Sequence, residues 1–115
     1  MVKLESLKKS YQFKQTLKEK KVHSEYFSIF AAKNFYKPKY KEDLIVSFVM
    51  KKKIGNAVKR NKIRRKLKAI VQKLLKKRGA ISKDYTYIVF GKTKAFVEKK
   101  DILQPAMIKC FKKIK

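Results

Sequence analysis

Residues 51–68, KKKIGNAVKRNKIRRKLK, combine a dense run of lysine and arginine with apolar residues at helical spacing. A helix that begins near Asn56 or Ala57 would have two distinct faces, since successive helical residues are about 100° apart. One face is apolar and comprises Ile63, Leu67, Ile70 and Leu74. The opposite face and its flanks comprise Asn61, Lys62, Arg64, Arg65 and Lys68. The stretch therefore predicts a helix that is half buried and half a phosphate-binding surface.

Arg60 departs from this division of the helix. On a regular helix its side chain would project within about 60° of Ile63, which belongs to the apolar face. Either the first helical turn is irregular, or the arginine lays its aliphatic stem over the edge of the core and keeps its guanidinium in solvent. The sequence leaves both alternatives open.

The net charge narrows the choice of partner. Lysine and arginine together number 34 against eight acidic residues, which gives a formal charge of +26 in 115 residues. Such an excess calls for a polyanion, which could be a nucleic acid, an anionic membrane or an acidic protein. An apolar content of 44% excludes a merely disordered basic tail. The length favours a single domain, residues 1–115, with a core of its own.

The cysteine content and the hydropathy of the sequence indicate where in the cell the protein is located. Cys110 is the only cysteine, so the chain can form neither an intramolecular disulfide nor a cysteine-based zinc site. The first residues, MVKLESLKKS, hold no apolar run suited to a signal peptide. No stretch approaches the roughly 18 apolar residues that a membrane span needs. We therefore expect a cytoplasmic protein without a membrane partner.

The first half of the chain predicts one helix and three extended segments. Ser10 can cap a short helix that runs to about Lys20 and carries Phe13 and Leu17 on one side. A weak extended segment surrounds Val22. Residues 26–32 and 44–50 are stronger strand candidates, because they are rich in aromatic and β-branched side chains. Neither alternates cleanly, which predicts a sheet covered on one face and either covered or lined with aromatics for a ligand on the other. One such set would be Tyr26, Ser28 and Phe30, opposite Phe27 and Ile29.

The second half predicts a strand between two helices. Gly79 suits the left-handed position that ends the basic helix, and residues 85–90, YTYIVF, form the next strand. A strand, a long helix and a second strand make a βαβ unit with parallel strands. After a GKTKA loop, Asp101 and Gln104 resemble a capping box for a last helix. Its expected apolar face comprises Ile102, Met107, Ile108, Phe111 and Ile114, with Cys110 near the core.

The side chains suited to catalysis are scattered. Among the eight carboxylates, only Glu42 and Asp43 are neighbours, and the single histidine, His23, lies in a basic surrounding. A protein nuclease needs clustered acids to hold Mg²⁺, or a positioned acid and base. We therefore predict no catalytic residue and no metal ligand in this chain, and assign His23 no role. The start of the basic helix, after Gly55, could hold a phosphate with help from the lysines at 51–53.

Residues 53–65, KIGNAVKRNKIRR, resemble the signature of the protein subunit of bacterial ribonuclease P. That signature is a K-x-G-x-A-V lead followed by an Arg-Asn-Arg-like helix, and here Lys62 stands at the third position of the triplet. The resemblance covers nearly the whole chain. It extends to Phe13, to Tyr26 and Phe27, to Asp84 and Tyr85, and to Ile88 and Val89.

The resemblance implies an α+β fold, a two-layer αβββαβα sandwich with a four-stranded sheet, like domain 2 of ribosomal protein S5. It also implies a left-handed βαβ crossover, whereas handedness rules alone would favour a right-handed one in about 98% of such units. As to function, it implies a ribonucleoprotein in which a catalytic RNA, with Mg²⁺, removes the 5′ leader of precursor tRNA. The protein would act as an accessory subunit that broadens the substrate range, and not as a catalyst on its own.

The family pattern also implies two groups of binding residues. The group expected to contact the catalytic RNA comprises Lys53, Asn56, Arg60, Asn61, Lys62, Arg64, Arg65 and Lys68. The group expected to bind the single-stranded leader, in a cleft between the first helix and the sheet, comprises Phe13, Leu17, Phe30, Lys51, Lys52 and Lys92. Leu17 stands where the family commonly has an aromatic, which removes a stacking surface worth about 1 to 3 kcal/mol per base. Phe30 can stack as tyrosine does but cannot donate a hydrogen bond.

Other functions fit parts of the sequence. A ribosomal protein or general RNA chaperone would have the same size and charge. A DNA-binding module could insert the basic helix into a major groove, but the helix and turn that precede the recognition helix of a helix-turn-helix are missing upstream, so no DNA partner is expected. A stand-alone ribonuclease would need the clustered acids that the sequence lacks. The sequence leaves the oligomeric state open.

Overall fold

The computed structural model describes residues 4–5, 10–33, 44–76, 81–82 and 85–114 of the chain. Five strands and four helices lie in these ranges, together with a short 3₁₀ turn at Lys52–Ile54. In chain order they are β1 (Leu4–Glu5), α1 (Ser10–Thr16), β2 (Lys20–His23), β3 (Phe27–Lys33), β4 (Leu44–Val49), α2 (Ala57–Leu75), β5 (Tyr85–Gly91), α3 (Lys94–Val97) and α4 (Lys100–Ile114).

The strands form one mixed sheet in the order β1-β4-β5-β3-β2. β4 and β5 are parallel neighbours joined through α2, which confirms the predicted βαβ unit, with Val46 opposite Tyr87. β3 pairs antiparallel with β5 on one side and with β2 on the other. The expected four-stranded sheet is therefore present. The two residues of β1, which were not predicted as a strand, add a fifth strand parallel to β4. The left-handed sense of the crossover stays a prediction.

One face of the sheet and the inner sides of α2 and α4 form the main core. The four residues of the predicted apolar face of α2 are all buried: Ile63, Leu67, Ile70 and Leu74. They meet inward side chains of the sheet, among them Tyr87, whose ring packs edge-on against Phe111 of α4 at 5.1 Å between centroids. Cys110 is buried in the same core, as predicted. The helical spacing of the apolar residues therefore correctly predicted which side of α2 faces the sheet.

The opposite face of the sheet is only partly covered. Ile45 and Ile88 are buried there, and partly buried aromatics pack around them, namely Phe13 of α1, Phe30 of β3 and Phe90 of β5. α1 contacts this face through β3 and β5. The arrangement confirms the expectation of one covered face and one lined with aromatics. Tyr26 departs from it, because it precedes β3 and packs against the main core on the side of Phe27.

Two element boundaries differ from prediction. α1 ends at Thr16 and not near Lys20, because the chain turns over the next residues and Lys20 already begins β2. α4 begins at Lys100, so Asp101 lies in its first turn and is not the capping residue.

The buried face of α4 also differs from the prediction. Ile102 is 48% exposed, and Leu103 takes the expected place in the core. The GKTKA segment, predicted as a loop, includes the start of α3. Gly79 lies outside the described residues, and α2 ends at Leu75 with Lys76 in a right-handed conformation. Across the described ranges, no helix has the length and apolar character needed to cross a bilayer.

Candidate nucleic-acid interface

The outer face of α2 presents the predicted cationic surface to solvent. Its members are all exposed, namely Asn61, Lys62, Arg64, Arg65 and Lys68. The side-chain oxygen of Asn61 accepts a hydrogen bond from Nη1 of Arg64 at 3.0 Å, one helical turn away. This contact restricts the arginine before any ligand arrives, which lowers the entropy lost on binding. We call this set of five residues the helix surface.

Three consecutive features precede the first turn of α2: a 3₁₀ turn, a glycine and a capping asparagine. The 3₁₀ turn ends at Gly55, whose φ of +153° is a conformation that favours glycine. A Cβ there would also meet the side chain of Lys59 at 2.8 Å. Asn56 then caps the helix, because its Oδ1 accepts from the backbone N–H of Lys59 at 2.9 Å. Asn56 is exposed, so its predicted contact with RNA would be made from a residue already engaged in capping.

The structure decides between the two alternatives for Arg60 that the sequence left open. The first turn is regular, since the N–H of Arg60 donates to the carbonyl of Asn56 at 3.0 Å. The side chain is half buried, as expected for a long cationic side chain at the edge of a core. Its guanidinium is not wholly in solvent, however, because Nε is buried without a hydrogen-bond partner in the described part of the chain.

The cap of α2 gives a testable expectation for stability. Asn56→Ala should lower the free energy of unfolding by about 1 kcal/mol, because one N–H at the helix start loses its partner. Asn56→Ser keeps an acceptor at the same position and should restore most of that loss. Urea unfolding of the full chain measures both variants, and equal stability of the alanine and serine forms would show that the cap contributes nothing.

A cleft opens between the end of α1 and the aromatic face of the sheet, with a volume of about 580 Å³. Its floor includes Phe30 and Phe90, whose rings pack edge-on at 5.4 Å between centroids. Its lining comprises Leu17, His23, Ser28, Phe30, Lys51, Lys53, Ile54, Phe90, Gly91, Lys92 and Thr93. Glycine is required at 91, because a Cβ there would collide with Met50 and meet Ile63 at 2.9 Å. Aromatic rings beneath lysine ammonium groups are typical of sites for single-stranded nucleic acid.

The cleft brings together most of the residues predicted for the leader. Leu17, Phe30, Lys51 and Lys92 line it, and Phe13 packs behind it against the buried pair of the sheet. Lys52 is exposed on the 3₁₀ turn and does not line the cleft. Lys53, which the resemblance assigned to the catalytic RNA, also lines the cleft and so lies between the two expected surfaces.

Two of the cleft lysines are held by specific contacts. Nζ of Lys92 donates to the backbone carbonyl of Ser24 at 2.6 Å, and Nζ of Lys51 lies 5.7 Å from the centroid of the Phe90 ring. The first contact fixes a positive charge at one end of the cleft. The second is a cation–π contact that places another charge over the aromatic floor.

Two residues of the cleft were not predicted from the sequence, namely Phe90 and His23. Ser28 lines the cleft beside Phe30, as expected for the strand face that these two residues share. Phe90 lies two residues from Ile88 on the same strand, so strand alternation places it on the aromatic face once the register of β5 is known. His23 and Ser28 face each other across the β2–β3 pair, which no local pattern reveals.

Lys66 ties the basic helix to α3. Its Nζ donates to the carbonyls of Phe96 at 2.6 Å, Glu98 at 3.1 Å and Ala95 at 3.3 Å. Burial lowers the pKa of Lys66, and the neighbouring charge of Lys62 lowers it further. The ring of Phe96 in turn lies about 5 Å from the ammonium groups of Lys59 and Lys62, at 5.1 and 5.0 Å. α3 therefore supports the cationic side chains of α2 from one side.

Potential metal ligands do not converge in the described part of the chain. Within residues 4–5, 10–33, 44–76, 81–82 and 85–114, no three histidine, cysteine, aspartate or glutamate side chains form a group that could hold a metal ion.

An exposed cationic helix beside an aromatic, lysine-rimmed cleft, on an α+β fold, is typical of an RNA-binding protein. The sequence matches the family described as Ribonuclease P over residues 1–115. The chain belongs to the ribonuclease P protein family.

Relatives and solved structures agree with that assignment. The ribonuclease P protein component of Mycoplasma mycoides is 31% identical over 109 residues, covering 95% of this chain and 94% of the relative. That of Mycoplasma capricolum is also 31% identical, over 110 residues, with the same coverage of both chains. In fold, the ribonuclease P protein of Thermotoga maritima is similar with a TM-score of 0.76 at 24% identity, covering 96% of this chain and 98% of that one. The Staphylococcus aureus protein gives 0.68 at 25% identity, with 96% and 94% covered.

Proposed function

We propose that this chain is the protein component of a ribonuclease P ribonucleoprotein that removes the 5′ leader from precursor tRNA. The family works with ribonuclease P RNA, and the helix surface and the cleft are the two sites that we propose for RNA. The observation that carries the proposal is their proximity, because Lys53 and Ile54 line the cleft and lie only a few residues before the start of α2. A protein built in this way can hold two RNA segments next to each other.

The helix surface is the proposed contact with the catalytic RNA. Its charges are exposed and face away from the core, and Lys53 and Arg60 extend it toward the cleft. The arginines suit phosphate, because a guanidinium presents several donors in one plane. We propose that this contact supplies affinity and orientation, with the RNA backbone as its target and little dependence on base sequence.

The cleft is the proposed site of the single-stranded leader. Phe30 and Phe90 offer rings on which bases can stack, and Lys51 and Lys92 offer charges for the backbone. Leu17 is 40% exposed at the edge of the cleft, where it gives apolar contact without a ring face. The grip on the leader is therefore expected to be weaker at that point than in relatives with an aromatic there.

In this mechanism the hydrolysis belongs to the RNA partner with its Mg²⁺. The protein raises the rate by holding the leader beside the RNA active site, which replaces a search in solution by a fixed position. Its positive charge also neutralises phosphates near the site, so that Mg²⁺ can bind the RNA at lower concentration. The protein alone is expected to leave precursor tRNA intact, and the ribonucleoprotein is expected to act in the cytoplasm.

Reconstitution with ribonuclease P RNA tests the proposal. The full chain should stimulate removal of the 5′ leader at low Mg²⁺ concentration, and its affinity for RNA should fall with a log-log salt slope of about −0.7 to −0.9 for each phosphate contact. Absence of stimulation at any Mg²⁺ concentration would refute the assignment. Cleavage of precursor tRNA by the protein without RNA would show that it is a nuclease in its own right.

The stacking role of Phe30 has its own expected outcome. Phe30→Ala should weaken binding of precursor tRNA by about 1 to 3 kcal/mol, while binding of the same tRNA without a leader should not change. Phe30→Tyr keeps the ring and serves as the matched control. Equal losses for the two tRNAs in the alanine variant would place the effect outside the leader site.

A further inference from the structure

The cleft contains a hydrogen-bonded polar pair that the proposed function does not use. Nδ1 of His23, at the end of β2, lies 2.6 Å from Oγ of Ser28 on β3. Ser28 is only 5% exposed, and the histidine ring stands edge-on to Phe30 at 6.0 Å between centroids. The imidazole is thus held from two sides, by a hydrogen bond to a buried hydroxyl and by an aromatic ring.

The pair determines which nitrogen of His23 can meet a ligand. Because Nδ1 is engaged by Ser28, the other nitrogen, Nε2, lies at the edge of the ring away from that buried hydroxyl. His23 is exposed and lines the cleft. When the ring is protonated, Nδ1–H can donate to Ser28 while Nε2–H donates to a bound group. The serine hydroxyl can rotate, so the same contact survives both protonation states of the ring.

The charged side chains around His23 affect whether its ring can be protonated. The charged groups that share the cleft are Lys51, Lys53 and Lys92, and all are positive. The nearest carboxylates along the chain, Glu19 and Glu25, do not line the cleft, and Glu25 lies 4.0 Å from Lys94. The cleft walls from β3, β5 and the turn after α1 add Ser28, Phe30, Phe90 and Leu17, which carry no charge. A phosphate bound among these lysines would place a negative charge beside the ring and so favour the protonated imidazole.

We propose that His23 binds a phosphate of the leader as an imidazolium, so that leader binding takes up a proton. The inference rests on the proposed function, since it requires the leader to occupy the cleft. The phosphate contact forms fully when the ring is protonated, and it is lost when the ring is deprotonated. Affinity for the leader therefore rises as the pH falls through the range in which histidines titrate, about pH 8 to 5.

A neutral ring could instead read the edge of a base. In that case Nε2 would accept from or donate to one particular base, and the leader sequence would matter while the pH would not. The three lysines of the cleft favour the phosphate, because they already mark the path of a polyanion past His23.

The experiment measures the leader's contribution to affinity as a function of pH. The full chain assembled with ribonuclease P RNA binds either precursor tRNA or the same tRNA without its leader, and the ratio of the two affinities isolates the leader. For the native chain this ratio should rise about tenfold toward low pH, the effect of one hydrogen bond to a charged group. His23→Gln should hold the ratio at its high-pH value throughout, and His23→Arg should hold it at its low-pH value throughout.

The possible results distinguish phosphate binding by His23 from its alternatives. His23 is exposed at the edge strand, so both variants are expected to fold, and their thermal unfolding confirms this. A native ratio independent of pH, or the same pH dependence in His23→Gln, would overturn the inference while leaving leader binding intact. A ratio that His23→Gln changes only for particular leader bases would also overturn it, in favour of base reading. A leader contribution absent at every pH would defeat the proposed function itself.

Discussion

Replacing Arg64 and Arg65 together with alanine is expected to lower affinity for ribonuclease P RNA by about 100-fold or more. Both side chains are exposed on the helix surface, and Arg64 is held in place by Asn61. A hydrogen bond to a charged group contributes about 1.5 to 3 kcal/mol, and about 1.4 kcal/mol corresponds to a factor of ten. Two such contacts therefore account for the loss, which filter binding or fluorescence anisotropy with the full chain can measure.

The control for this variant removes the same charge elsewhere. Lys112 and Lys113 are exposed in the last turn of α4, and replacing both with alanine also lowers the net charge by two. That pair should cost far less affinity, because it acts only through the overall field of the protein. The arginine variant should also flatten the salt slope by about 0.7 to 0.9 for each lost contact. Equal losses in the two variants would mean that RNA responds to total charge alone.

Leu67→Ala is expected to lower the free energy of unfolding by about 2 to 5 kcal/mol. Leu67 is fully buried on the inner face of α2, and truncation removes apolar contacts and leaves a cavity that the sheet cannot close. Leu67→Met conserves the volume and should cost less than about 1.5 kcal/mol. Urea unfolding measures both variants. A cost below about 1 kcal/mol for alanine would contradict the placement of this residue in the core.

The two faces of α2 were predictable because they depend on local spacing alone. A period of 3.6 residues sorts side chains into inner and outer sets wherever the helix packs, and the structure buries and exposes those sets as expected. The error at α4 has the same physical basis. Ile102 precedes Met107 by five residues and so lies about 140° from it around the helix, whereas Leu103 precedes it by four residues and is the buried residue.

The cleft was predictable only in part, because its membership depends on strand register. Phe30 came from the family pattern and Ser28 from alternation along the same strand, whereas Phe90 and His23 meet them only once β2, β3 and β5 are aligned. The contacts of Lys66 likewise could not be predicted from the local sequence. In the sequence it is one more lysine of a basic helix, and only the position of α3 turns it into a partner of three carbonyls.

The lysine and arginine side chains of this protein have few acidic side chains with which to form ion pairs. Among the described residues the ion pair between Lys94 and Glu25 spans 4.0 Å, with both side chains more than two-thirds exposed, so it stabilises little. The fold therefore brings like charges together with almost no internal neutralisation, and compaction is electrostatically uphill. RNA bound as proposed would supply the missing countercharge. Its binding would then also stabilise the folded state of the protein.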